Sequence, residues 1–286
     1  MARTFKNSHS IAWDGISFLV PESWSFAEYS YKKKGVTSIE LEDDYNIRLE
    51  VEWTRPHAKL NLDRIRKRYA KKAQGVERQA TKSFEYRGLP SGWGAHLYTM
   101  QDRFELLSAY YLSPQSEVCV WFRGHFSDKD PEDVEEVLKL LTGCEVHTQG
   151  MVPWSIYDIQ FEVPARFRLL RTAFHAGRKE LTFQWRLRKY RLWFFSLAEI
   201  ILRDNDMLEW VVDFLNKSKD IKGPKFVIEN GGIRAKRRLR YPVGHNEEIG
   251  RMCFQYKIDC VHLEKKNQIA LSIFQYRTKS DLKQLE

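Results

Sequence analysis

The chain has 286 residues, 43% of them hydrophobic and 30% charged, with nine Trp, thirteen Tyr and seventeen Phe. That length suits two domains, and the balance is that of a folded protein, not of a disordered or collagen-like one. No stretch approaches the roughly 20 apolar residues of a membrane-spanning helix, and the opening MARTFKNSHSIAWD lacks the apolar core of a signal peptide, so a cytoplasmic location without membrane association is expected. Cys119, Cys144, Cys253 and Cys260 are too sparse for a disulfide scaffold. Cys119 and Cys253 fall in apolar runs as small buried side chains. Charge is distributed unevenly. Residues 1–150 carry 21 Lys/Arg against 22 Asp/Glu, a net of −1, and residues 151–286 carry 26 against 16, a net of +10.

In chain order, Ile16-Ser17-Phe18-Leu19-Val20-Pro21 alternates as a strand with one buried face and ends at proline. Ile159-Gln160-Phe161-Glu162-Val163-Pro164 repeats it 143 residues later, and Trp24 and Phe167 follow at equal distances. Gly35 and Gly177 each open two strands around a polar turn, at Asp43-Asp44 in one copy and at Arg188-Lys189 in the other. A helix comes next. Asn61 is placed to cap the first, with Leu62, Ile65 and Tyr69 on one side. Ser196, with Glu199 as a capping-box partner, is placed to cap a longer second helix running to about Lys219, which Arg203-Asp204-Asn205-Asp206 interrupts.

Both copies then return to strands. Phe84–Tyr86, Gly94–Met100, Phe104–Leu112 and Val118–Gly124 match Phe226–Ile228, Ile233–Tyr241, Arg251–Leu263 and Gln268–Tyr276, with polar hairpin links at 113–116 and 264–267. A helix over 131–141, acidic at its start and stopped by Gly143, ends the first copy; the second begins the same element at Lys279. Each half therefore reads β-β-β-α-β-β-β-β, an α+β unit in which helices cover an antiparallel sheet. The expected organisation is a tandem duplication with domains 1–150 and 151–286, the second one basic.

The Val-Pro strand end followed by Ser23-Trp24, then the paired strands and helix, resembles the Mog1/PsbP-like superfamily, which includes DcrB-like proteins. The likeness spans about 130 residues of each copy. It implies an accessory or binding protein, and it brings no shared catalytic set. The second copy departs from the motif, with Ala165-Arg166-Phe167 where the first has Glu22-Ser23-Trp24.

No catalytic, cofactor or metal motif is present: no paired-cysteine spacing, no His-Glu-x-x-His, no nucleophile elbow and no phosphate loop. His245 with Glu247 and Glu248 reads as an acidic loop, and His96, His125 and His262 read as structural. Two basic runs stand out as candidate anion or nucleic-acid contacts: Arg186, Arg188, Lys189 and Arg191 in RLRKYR, and Arg234, Lys236, Arg237, Arg238 and Arg240 after Gly231-Gly232. Trp185, Tyr190 and Trp193 among the first group offer base stacking or ordinary sheet packing. A third run on the first helix, Arg64 to Lys72, reads as an exposed face.

The leading expectation is a non-enzymatic binding or adaptor protein with a protein partner. Nucleic-acid or phosphate-ligand binding by the basic half is the alternative, and an enzyme with an interdomain site comes third. No pattern specifies a cofactor or an oligomeric state.

Overall fold

Strand β1 (Ser8–Trp13) runs back on β2 (Ile16–Pro21) through Asp14-Gly15, both with positive φ, the Asp-Gly pairing that a tight hairpin favours. The computed structural model describes residues 8–32, 36–54, 62–100, 104–113, 118–127, 130, 132–218, 221, 225–236, 254–283 and 285. The first unit, 1–165, continues with β3 (Ser25–Lys32), β4 (Val36–Glu42), β5 (Ile47–Thr54), α1 (Leu62–Glu77), β6 (Lys82–Tyr86), β7 (Trp93–Thr99), β8 (Phe104–Ser113), β9 (Val118–Ser127), α2 (Val134–Thr142), β10 (Glu145–Val146), β11 (Met151–Ile156) and β12 (Ile159–Pro164). The second unit, 166–286, contains β13 (Arg168–His175), β14 (Arg178–Trp185), β15 (Arg188–Ser196), α3 (Ala198–Leu202), α4 (Met207–Lys217), β16 (Lys225–Glu229), β17 (Gly232–Lys236), β18 (Gln255–Leu263), β19 (Gln268–Tyr276) and α5 (Lys279–Leu282).

The fold is α+β, with two similar antiparallel sheets and their helices. In the first unit the order is β3-β4-β5-β9-β8-β7-β6; in the second it is β13-β14-β15-β19-β18, with β16-β17 as a separate hairpin beside β18. The strand connections follow the same order, although α3 and α4 stand where the first unit has α1 alone and β16-β17 form their own sheet. Even the irregularities match: β3 is bulged between Phe26 and Glu28, and β13 between Leu169 and Arg171, 143 residues on. Trp24 packs on Phe126 of β9, and Phe167 packs on Phe274 of β19.

A further sheet, β10-β2-β1-β11-β12, lies wholly within the first unit. Its β1 and β11 pair with Ala12 opposite Ser155, residues that are themselves 143 apart, so the two opening hairpins meet about a local twofold relation. This sheet covers one face of the seven-stranded sheet. Phe18 meets Phe122 at 5.4 Å, and Trp13, fully buried, lies 5.2 Å from Phe26 and 4.8 Å from Trp154. Helix α2 packs Val137, Leu138 and Leu141 beside β2. In the second unit α3 and α4 close over Trp193, Phe195, Ile269, Leu271 and Ile273.

Several sequence expectations are corrected. Each half has five strands before its helix, not three. The bulges break the alternation that would have marked β3 and β13, and β1 opens on the polar Ser8-His9-Ser10. The break expected at 203–206 is present, and Asp206 caps α4 by accepting from Leu208 and Glu209 N–H. Ser196 does not cap α3, because it is the last residue of β15. Leu197 turns through the left-handed region, and the Glu199 N–H is met instead by the Asn267 side chain. Asp133 caps α2. Asn61, Cys253, the His245 loop and the end of the strand expected to reach Tyr241 lie outside the described residues.

Glycine is required at Gly92, which has φ +86° and whose added Cβ would stand 2.5 Å from the Leu112 carbonyl oxygen. Gly92→Ala is expected to destabilise the protein by about 2 kcal/mol or more, and Gly88→Ala, at φ +76° but in open space, by about 1 kcal/mol. Denaturant midpoints of the two variants check the order.

Candidate functional site

Antiparallel pairing sorts the basic runs of the second unit onto different faces. Trp185 and Arg188 are cross-strand partners at the end of the β14–β15 hairpin, and Arg186 occupies its turn at φ 54°. The guanidinium carbons of Arg166, Arg186 and Arg188 lie 5.1, 5.4 and 4.9 Å from the centroid of the Trp185 ring, within cation–π range. Arg188 also donates to Asp281 Oδ1 at 2.8 Å. Burial would raise the Asp281 carboxyl, but Arg188 and the N–H groups of Arg277 and Thr278 outweigh it and hold it at about 2. Lys189 is half-buried between Gln184 and Gln275, and Arg191 is only 5% exposed. Arg234 and Lys236 are exposed on β17, Arg234 3.5 Å from Glu229. Arg237, Arg238 and Arg240 lie outside the described residues.

Arg166 joins this group although the sequence marked it only as a departure from a motif. Its approach to Trp185 depends on how β13 and β14 pair, which spacing along the chain does not reveal. With three guanidiniums around it and Phe167 6.2 Å away, the Trp185 ring serves as a scaffold for cations and not as an open platform for bases.

The first unit holds a site that no motif announced. The seven-stranded sheet has a second face, opposite the one covered by β1, β2, β11 and β12. Helix α1 shields part of it: Tyr69 packs on Trp121 and Cys119, and Lys72 bonds Glu52 at 3.1 Å over the Trp121 ring. Lys67 and Lys71 of the basic helix run are exposed. The same face also holds a cleft of about 470 Å³ lined by Glu40, Asn46, Ile47, Arg48, Glu50, Phe104, His125, Ser127 and Asp130.

Its walls are tied together. Arg48, in β5, is buried between Asp43 and Asp130 and bonds both; Asp43 also accepts from Tyr45 and Asn46 N–H. Glu50 bonds Arg123 and accepts from His125 Nε2 at 2.8 Å. His125 stands beside Phe104, with ring centroids 5.8 Å apart. Burial opposes ionisation of Glu50, yet His125 and Arg123 prevail and hold it at about 2. Glu40, directly across from Glu50, is pushed the other way, by burial first and then by Glu50 and Glu28.

Among the described residues no group of three or more His, Cys, Asp or Glu is placed to hold a metal ion. Of the free thiols, Cys119 and Cys144 are buried and Cys260 is half-buried; burial and then Glu145 push Cys144 up to about 12, far from a reactive thiolate.

No protein-family model and no curated protein matches the chain. Among solved structures it is similar to cyanobacterial PsbP (CyanoP) from Synechocystis sp. PCC 6803, at 12% identity over 49% of this chain and 92% of that one, with a TM-score of 0.31. It is also similar to MucB, at 12% identity over 99% of this chain and 91% of that one, with a TM-score of 0.20. MucB in complex with MucA(peri) gives 10% identity, 99% and 92% coverage and a TM-score of 0.18. All three are weak, low-identity structural resemblances. The cytoplasmic location expected from the sequence is not upheld and is withdrawn.

Glu50 and Asp281 both have folded-state values of about 2, below ordinary values of 4.5 and 3.8. Their ion pairs therefore stabilise the protein fully above those ordinary values and are lost as pH falls toward 2. Thermal midpoints are expected to fall between about pH 4.5 and pH 2, and Glu50→Gln or Asp281→Asn to make that decline shallower; a pH series of melting curves checks this.

Proposed function

We propose that this is a binding or adaptor protein that recognises a protein partner, and that the first-unit cleft receives a basic side chain of that partner. Alongside this we propose that residues 1–150 and 151–286 are diverged copies of one domain, in which the first copy retains the open cleft. The observation that carries the reading is a cleft of about 470 Å³ whose walls are already fixed by ion pairs. That is the size of a ligand site, and its side chains need no ordering on binding.

Its charge sets the ligand class. Arg48 and Arg123 are set against Asp43, Asp130, Glu40 and Glu50, so four carboxylates face two guanidiniums. Glu40 contributes one of them without an ion pair among the described residues, and Phe104 offers an apolar wall. A Lys or Arg side chain supplies both the compensating charge and an apolar stem for such a wall.

Glu40→Gln should weaken binding of a short Lys/Arg-rich peptide to the full chain by about tenfold and leave the melting temperature unchanged or slightly raised, since the ionised Glu40 is disfavoured by its surroundings. Titration calorimetry and a melting curve on the same variant test it. Undiminished peptide binding by Glu40→Gln would overturn the cleft as the site.

A further inference from the structure

The Trp185 corner of the second unit is built differently from the cleft and rests on separate observations. Arg188 is largely buried, with 16% of its side chain exposed. One of its terminal nitrogens bonds Asp281, but its Nε–H has no hydrogen-bond partner. A buried donor left unmet is costly and uncommon, so this N–H calls for an acceptor at the Trp185 corner. Arg186, beside it in the hairpin turn, is exposed, and among the described residues its charge is met by the indole face and by no carboxylate. Arg166 brings a third guanidinium to the same ring. Arg277 and Lys279 bracket Asp281 in sequence, and the Arg277 N–H bonds that carboxylate.

We propose that Arg186 and Arg188, held against Trp185, form a binding site for a phosphomonoester, with Arg166 completing its wall. Guanidinium groups present paired N–H donors that match phosphate oxygens. The indole faces hold the cations in place before a ligand arrives, which lowers the ordering cost of binding. Charge selects the monoester. Arg186 and Arg188 bring two positive charges to the corner, with Asp281 as the carboxylate that bonds Arg188, and a phosphomonoester of charge near −2 is drawn to such a corner more strongly than a carboxylate or a phosphodiester of charge −1. Base stacking has no place at this corner, because the ring is already occupied. The inference narrows the nucleic-acid-or-phosphate reading of the basic half to one chemistry and one set of residues, and it does not depend on the first-unit cleft.

The test is calorimetric titration of the full chain at low salt with four ligands: inorganic phosphate, a phosphoserine peptide, the same peptide unphosphorylated, and a single-stranded oligothymidylate. Inorganic phosphate, the phosphoserine peptide or both should bind. Binding by both marks the phosphate group itself as sufficient; binding by the peptide alone marks a phosphorylated partner as the source. Arg186→Gln should weaken that binding by about tenfold, and Arg234→Gln, on β17, should leave it unchanged. Wild-type affinity should rise from pH 5.5 to 7.5 as the ligand loses its second proton near pH 6, while Asp281, which titrates at about 2, stays ionised. This pH response needs no variant and stands even if Arg186→Gln misfolds. Failure of both phosphomonoesters to bind overturns the proposal, as does equal weakening by Arg234→Gln. Tighter, pH-independent binding of the oligonucleotide overturns it in favour of nucleic acid.

Discussion

A sheet has two faces, and what covers each of them decides what the rest of this molecule can do. In the first unit the inner face of the seven strands is closed by the sheet that joins β1-β2 to β11-β12, with Phe18 on Phe122 and Trp13 on Phe26 and Trp154. The outer face is closed only where α1 reaches Trp121 and Cys119. Beyond that point the strands must present side chains that tolerate water, and cross-strand pairing lines them up in rows. One such row runs Glu28, Glu40, Glu50, Arg123, Ser108, His96 and Glu85 across all seven strands. The cleft forms around the middle of that row.

The second unit shows the same row under different cover. Its positions read Arg171, Thr182, Arg191, Ile273 and Ile258. Ile273 belongs to the core beneath α3 and α4, with Ile258 packed against it, and Arg191 is buried. Where the first unit has Glu28, Glu40 and Glu50 the second has Arg171, Thr182 and Arg191, and in place of the salt-bridged centre it has a partly apolar one. Part of the charge difference between the halves lies in this one row, and Arg186 in the β14–β15 turn and Arg234 and Lys236 on β17 are among the exposed cations of the second unit.

Preorganisation links the two proposed sites. Buried charges are tolerated when several partners fix them, as Arg48 is by Asp43 and Asp130 and as Asp281 is by Arg188 and two backbone N–H groups. Such networks cost little to present to a ligand because their side chains are already ordered. In the first unit they leave Glu40 as the carboxylate facing open space; in the second they leave Arg186 exposed and the Arg188 Nε–H unmet.

Local physics carried far in the sequence. The Val-Pro strand ends, the polar turn at Asp43-Asp44, the interruption of the second helix at 203–206 and the α+β class were legible, because alternation, capping and turn chemistry act between neighbours, whereas the turn expected at Arg188-Lys189 falls instead at Arg186-Leu187. Bulged β3 and β13 were hidden by their own irregularity, and the Ser196 cap lost to Asn267 because β15 and β19 bring that distant amide to the helix start. The sites themselves lay outside the sequence's reach. The cleft gathers residues of β4, β5, β8 and β9 with Asp130, and the arginine corner draws on residue 166, two strands and α5. Each is a product of strand register, and register is set by which long-range face is buried, so only the tertiary structure determines which charges meet.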